Sequence, residues 1–99
     1  MIRHIVSWQL SAEDEAGKDI QGAEIAAALA PLPAVLPGLL SLEVRRNVIA
    51  QESNFDLILV CDFASVDDHD AYQVHPDHVA AVSVIAQRTV GRSCVDFEV

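Results

Sequence analysis

Residues 55–64, FDLILVCDFA, carry the clearest secondary-structure signal in the chain. Their side chains alternate in character with a period of two, which is typical of a β-strand with one face in a core. The predicted core face carries Phe55, Leu57, Leu59, Cys61 and Phe63, and the opposite face carries Asp56, Ile58, Val60 and Asp62.

Three further segments alternate in the same way and are also predicted to be strands. They are residues 2–10, 39–48 and 89–99. The core face of the first carries Ile2, His4, Val6, Trp8 and Leu10, and that of the second carries Leu40, Leu42, Val44 and Val48.

Helix signals separate these strands. Ser11, followed by three acids, is the predicted cap of a first helix that runs through DIQGAEIAAALA and is ended or kinked by Pro31 and Pro33. Ser65 is the predicted cap of a second helix, with Asp68 in the box-closing position. This helix is expected to reach about residue 87, with an interruption within it.

The order strand, helix, strand, strand, helix, strand predicts an α+β domain. A βαββαβ chain of this kind forms a ferredoxin-like, four-stranded antiparallel sheet with both helices on one face. The length of 99 residues allows one domain, covering 1–99. The sheet face without helices carries Ile5, Ile58 and Val60, which water would otherwise contact. We therefore expect a homodimer that covers this face.

Composition excludes several classes of function. Six basic against 15 acidic residues give a net charge of −9, which disfavours nucleic acid and anionic membrane surfaces as partners. No apolar run is long enough to span a membrane, and no signal peptide is evident.

Cys61 and Cys94 have no motif spacing, so we expect free thiols in the cytoplasm rather than a disulfide scaffold. No glycine-rich phosphate loop or nucleophile elbow is present, and no cofactor is predicted.

Chemistry is concentrated in YQVHPDHV, residues 72–79. Pro76 lacks an N–H, so one helix is expected to end near Val74 and another to begin at Pro76. His75 then lies at the junction, where a structural capping role is expected. His78 falls in the first turn of the new helix, where the helix dipole lowers the pKa of an imidazolium, so a neutral ring can act as a base. Tyr72 can donate to a developing oxyanion in the same space.

Structural roles for these residues remain open. Buried polar groups usually serve the fold, so Tyr72 and His78 can equally be packed core residues, and His4 shares an otherwise apolar strand face. A metal set can be drawn from the histidines and nearby acids, but its spacing is poor because Pro76 splits the helix, so no metal site is predicted. The residues of that set are His69, Asp70, His75, Asp77 and His78.

In this order, MIRHIV, LPGLLSLEV, FDLILVCDFAS and YQVHPDHV resemble the stress-responsive A/B barrel domain family, over Ile2 to about Phe97. The resemblance implies a dimer whose two sheets form a barrel. In one branch, similar to the plant olivetolic acid cyclase, the tyrosine and second histidine of the motif are the catalytic pair. They match Tyr72 and His78, and the first-strand histidine matches His4. Further polar positions of that cyclase match leucines here, Leu29 and Leu57.

These observations together favour a small, mostly apolar pocket between sheet and helices. Trp8, Leu57, Leu59, Val79 and Val82 are the expected apolar walls, with His4, His78 and Tyr72 as the polar groups. The leading hypothesis is a cytoplasmic homodimer that holds a small, mostly apolar molecule in this pocket. If the protein is an enzyme, the expected reaction is cofactor-free proton transfer on a carbonyl or polyketide-like compound, with His78 as the base and Tyr72 as the oxyanion donor. The alternatives are a non-catalytic stress or binding protein and a cofactor-free dimeric monooxygenase, which uses a similar fold but which the HPxH motif disfavours.

Overall fold

The computed structural model describes all residues, 1–99, and confirms the predicted architecture. Four antiparallel strands form one sheet in the order β2-β3-β1-β4. α1 packs against α4, and the helices cover one face of the sheet. The elements are β1 (Ile2–Leu10), α1 (Glu15–Leu29), α2 (Leu32–Val35), β2 (Leu39–Arg46), β3 (Leu57–Phe63), α3 (Val66–Val74), α4 (Pro76–Ala86) and β4 (Thr89–Glu98).

The two central strands supply most of the sheet's contribution to the core. β1 and β3 pair directly, and their alternation places every second side chain under the helices. From β1 and β3 the buried core side chains are His4, Val6, Trp8, Leu10, Leu57, Leu59, Cys61 and Phe63. The predicted core faces of these strands are therefore confirmed from His4 and from Leu57 onward.

Phe55 and Asp56 precede β3, so the predicted alternation does not apply to them. Phe55 is 37% exposed, whereas Asp56 is buried. The Asp56 carboxylate accepts a hydrogen bond from the Leu10 N–H at 2.8 Å and pairs with Lys18 at 3.1 Å. Because these partners satisfy its charge, an acid predicted to face solvent lies inside the domain.

The predicted core face of β2 is wrong at Leu40, because the strand contains a bulge. The pairing with β3 shifts register between Leu39 and Ser41. An extra residue at a bulge reverses the alternation, so Leu39 is buried and Leu40 is 55% exposed, while Leu42 and Val44 still pack against the core. Val48 lies beyond the strand and is 88% exposed.

The first helix begins later than predicted. Asp14, not Ser11, is the cap, and its carboxylate accepts from the Gly17 N–H at 2.8 Å. Ser11 instead accepts a hydrogen bond from the Gln21 amide at 2.8 Å. Pro31 does end the helix, but the chain then forms the short α2, since a proline is compatible with the first turn of a helix.

The second helix is divided at the predicted position. α3 begins after Ser65, whose hydroxyl accepts from the Asp68 N–H at 3.2 Å. His75 is extended, with φ −65° and ψ 134°, and separates α3 from α4. No helix in the structure is long and apolar enough to cross a bilayer.

An apolar stripe crosses the uncovered face of the sheet. Ile5 pairs with Val60 on one side and with Val95 on the other. Val95 is 63% exposed and the nearby Phe97 is 42% exposed. A contiguous apolar surface of this kind is uncommon on an isolated soluble domain.

Candidate functional site

A cavity of about 320 Å³ lies between the helix-covered face of the sheet and the α3–α4 unit. This volume is at the lower end of the range for small-molecule pockets. Two wider depressions, of about 520 and 600 Å³, lie near the β2–β3 loop, and most of the residues that line them are polar. The lining of the 320 Å³ cavity is Val6, Trp8, Leu59, Val82, Ile85 and Ala86 with the polar residues His4, Tyr72, Gln73, His78, Thr89 and Arg92.

Tyr72 joins the cavity to the core. Its side chain is 1% exposed, and its ring packs at centroid distances of 5.0 Å from Phe63 and 3.9 Å from His78. The hydroxyl has no hydrogen-bond partner in the protein. The Tyr72 side chain is among those that line the cavity. The phenol therefore presents a free donor to the cavity, and burial raises its pKa, so it stays protonated.

His78 stands beside this phenol in the first turn of α4. Its Nδ1 lies 3.4 Å from the Gln73 carbonyl oxygen. Only an N–H can donate to a carbonyl, so Nδ1 carries the proton in this arrangement and Nε2 is left as an acceptor. Burial lowers the pKa of His78, and this effect is larger than the opposing effect of the backbone hydrogen bond. The ring is therefore neutral near pH 7.

His4 is held from the opposite side of the cavity. Its Nδ1 bonds to the Asp96 carboxylate, and the Cys94 sulfur lies 3.6 Å away. Burial lowers the pKa of His4, although the bond to Asp96 opposes the shift. The ring centroids of His4 and Tyr72 are 6.0 Å apart. The structure thus brings His4 close to the Tyr72–His78 pair, with the phenol between the two imidazoles.

Of the groups considered for a metal from the sequence, only His69 belongs to the set that the structure brings together. His4, His69 and Asp96 each place one ligand atom within 4.8 Å of the others. Two imidazoles and a carboxylate suit several transition metals. In the structure these groups already engage protein partners, since Asp96 accepts from His4, and the Gln73 amide lies 3.2 Å from His69 Nε2.

The stress-responsive A/B barrel domain profile matches residues 2–99. The chain belongs to this family. No curated protein matches the sequence significantly.

Several solved structures are similar to this A/B barrel domain over nearly its whole length. A dimeric ferredoxin-like protein of unknown function from Thermobifida fusca is 32% identical, with a TM-score of 0.81 over 99% of this chain and 90% of that one. A dimeric protein of ferredoxin-like fold and unknown function from Bacteroides fragilis is 29% identical, with a TM-score of 0.84 over 99% and 95%. The hydroxynitrile lyase from Passiflora edulis, at 16% identity and a TM-score of 0.76 over 97% and 90%, shares the fold.

Two of the apolar side chains expected in the pocket of this A/B barrel domain lie elsewhere. Leu57 is buried but does not reach the cavity, and Val79 is 56% exposed on the outer side of α4. Pro76 starts a new helix, so the phase of α4 does not follow from α3, and Val82 rather than Val79 faces inward. His75 lies outside the cavity, where its Nδ1 accepts from the Asp77 N–H at 3.1 Å and caps α4.

Several residues that line the cavity were not found from the sequence. One comes from α3, and the others come from the end of α4 and the edge strand β4, where small and polar side chains on both faces give little indication of which face is buried. One signal was available for Arg92, which shares strand parity with Cys94, a residue packed against the core. The lining residues that were not predicted are Gln73, Ile85, Ala86, Thr89 and Arg92.

Proposed function

We propose that this protein is a cytoplasmic homodimer that binds a small, mostly apolar carbonyl compound and transfers protons on it without a cofactor. The observation that carries this proposal is the contact between Tyr72 and His78 at the cavity wall. One group offers an unbonded hydroxyl, and the other a neutral ring with an unprotonated nitrogen. A base and an oxyanion donor side by side in an apolar pocket are the minimum set for enolate chemistry.

The proposed reaction begins when His78 Nε2 takes a proton from a carbon beside a carbonyl group. The electron pair of the broken C–H bond moves to the carbonyl oxygen, and the Tyr72 hydroxyl donates a hydrogen bond to the enolate as its charge develops. The enolate carbon then attacks a second carbonyl, forming a carbon–carbon bond in an aldol-type or cyclisation step. His78 returns its proton to the new alkoxide, so no redox change occurs.

Proton exchange tests this chemistry without knowledge of the natural substrate. Ethyl 2-methylacetoacetate has one carbon proton between two carbonyl groups, and its replacement by deuterium in D₂O is followed by NMR. We expect the protein to accelerate exchange, His78→Gln to lower the protein-catalysed rate by about 100-fold or more, and Tyr72→Phe by about 10- to 100-fold. His75→Asn, which keeps a capping side chain outside the cavity, is the matched control and should retain the rate.

A non-catalytic role is favoured by a different observation. Tyr72 belongs to a packed group of rings with Phe63, His69 and His4, all with centroids 5.0–6.2 Å from a neighbour. Such a group can hold α3 on the sheet with no reaction at all. Exchange at the rate of buffer alone, in protein that retains its fold, would favour this alternative.

The uncovered sheet face supports the homodimer. The stripe formed by Ile5, Val60 and Val95 is the surface that a second copy would bury. The similar proteins from Thermobifida fusca and Bacteroides fragilis are both dimeric. We expect Ile5→Glu to produce protomers in sedimentation velocity experiments, because a charge would be buried without a partner. Val79→Glu, an exposed helix position, should leave the dimer intact. A protomer mass for the unaltered protein would contradict the proposal.

A further inference from the structure

Arg92, an exposed residue, is the one lysine or arginine in the protein without a carboxylate partner. The chain has six lysines and arginines among 15 acids. Unpaired cations are therefore not expected from composition, since acids are in excess by more than two to one. The five paired residues are Arg3, Lys18, Arg45, Arg46 and Arg88.

The position of this guanidinium is specific. Arg92 lies on the edge strand β4 opposite Trp8 and forms part of the cavity wall together with Tyr72 and His78. None of the residues that line the cavity is acidic. Asp96, which lies on the same strand, is bonded to the His4 ring. A protein of net charge −9 thus has a cavity whose only full charge is positive.

Most other donors of the cavity wall are already used. The Thr89 hydroxyl donates to the Ile85 carbonyl at 3.0 Å, and the Gln73 amide contacts His69. The Trp8 indole N–H, the Tyr72 hydroxyl and the Arg92 guanidinium have no hydrogen-bond partner in the protein. A ligand that satisfies the phenol and the guanidinium needs an acceptor oxygen for the first and an anionic group for the second.

We propose that the ligand of this cavity is a small carboxylic acid, bound as the carboxylate by Arg92. This proposal rests on the proposed function and names the class of its substrate or product: a carbonyl or hydroxyl compound with an apolar body and one carboxylate. A planar carboxylate matches the two parallel N–H groups of a guanidinium, and one cation balances one negative charge. A phosphate ester carries nearly two negative charges, and the single guanidinium of this cavity balances only one of them.

The geometry gives the carboxylate a role in orientation. With the anion held at β4, we expect the apolar body of the ligand to lie against Trp8, Leu59 and Val82 and its carbonyl group to face Tyr72 and His78, which line the same cavity. Anchoring at a group remote from the reacting carbon is a common way to hold a substrate in a productive position. Arg92 is therefore a binding residue for the reaction proposed above.

Phenylacetate and phenylacetamide test the proposal because they share a shape and differ in charge. Trp8 is the only tryptophan and lines the cavity, so its fluorescence reports occupancy. We expect phenylacetate to bind at least about tenfold more tightly than phenylacetamide at low salt, and Arg92→Gln to remove this difference. Arg45→Gln, which removes one positive charge from an exposed pair with Glu43, should preserve it.

Two results would overturn the carboxylate site. One is the absence of a preference: either the two compounds bind with equal affinity, or neither binds up to the solubility limit of phenylacetamide. The other is an undiminished preference for phenylacetate in Arg92→Gln. Proton exchange on ethyl 2-methylacetoacetate, a neutral ester, separates the two proposals. Exchange without charge discrimination refutes the carboxylate site alone, and charge discrimination without exchange refutes the proton-transfer chemistry alone.

Discussion

Replacement of Tyr72 by phenylalanine separates the contribution of the ring from that of the hydroxyl. The ring is buried against Phe63 and His78, whereas the hydroxyl has no hydrogen-bond partner in the protein. Removing a hydroxyl from an intact buried hydrogen bond costs about 1 kcal/mol, and about 1–3 kcal/mol where its partner is left unsatisfied. No such bond exists here, so we expect the free energy of unfolding to change by less than about 0.5 kcal/mol.

Urea unfolding followed by Trp8 fluorescence measures this change. The protein concentration must be equal for all variants, because association contributes to the apparent stability of a dimer. In thermal unfolding the same limit corresponds to a shift of about 2–4 °C for a domain of this size. Tyr72→Leu is the control that removes the ring, and we expect it to cost about 2 kcal/mol or more.

A loss above about 1.5 kcal/mol in Tyr72→Phe would refute the reasoning, because a penalty of that size requires a hydrogen bond made by the hydroxyl. The phenol would then be bonded within the fold and would not be free for a ligand. Near-normal stability combined with a slower proton exchange is the result that assigns the hydroxyl to a ligand.

Three other predictions concern pH, capping and thiol reactivity. Burial lowers the pKa of both His4 and His78. Between the folded-state pKa values and about pH 6.5, the unfolded chain therefore binds more protons than the folded protein. The stability that is present above about pH 6.5 should be lost as the pH falls through the folded-state pKa values. Urea titrations at about pH 7.5 and 5.5 measure this loss. Asp14→Ala should destabilise the protein by about 1 kcal/mol and Ser11→Ala by clearly less, measured by the same unfolding assay. Burial raises the pKa of the Cys61 thiol to about 12, so iodoacetamide should modify this residue only in unfolding conditions, as peptide mass analysis can show.

The sequence predicted the fold well because alternation is strongest where a strand is central. β1 and β3 are flanked by strands on both sides, and their faces follow directly from the period of two. The edge strand β2 contains a bulge at Leu39–Ser41, which no pattern in LLSLEV reveals. The start of α1 was misplaced for a similar reason, since Ser11 and Asp14 are both good caps and only the local backbone selects Asp14.

The candidate site could be predicted only where backbone chemistry constrained it. Pro76 determines the break between α3 and α4, so the positions of His75 and His78 relative to the helix ends followed from the sequence. Which side chains of α4 face the cavity depends on how α4 packs on the sheet. That tertiary contact decides between Val79 and Val82, and it brings Arg92 to the cavity wall from the far end of the chain.

In the reaction proposed above, the different partners of the two imidazoles limit which protons His78 could remove. His4 bonds to the Asp96 carboxylate, whose charge would stabilise a protonated ring, whereas the partner of His78 is a neutral carbonyl. A proton accepted by His78 is therefore poorly stabilised and readily returned. Such a weak base can remove only a proton that is already acidic, as on a carbon between two carbonyl groups, with Tyr72 sharing the developing charge. The absence of a carboxylate behind His78 thus favours dicarbonyl compounds over simple ketones as substrates, and His78 rather than His4 as the group that both takes and returns the proton.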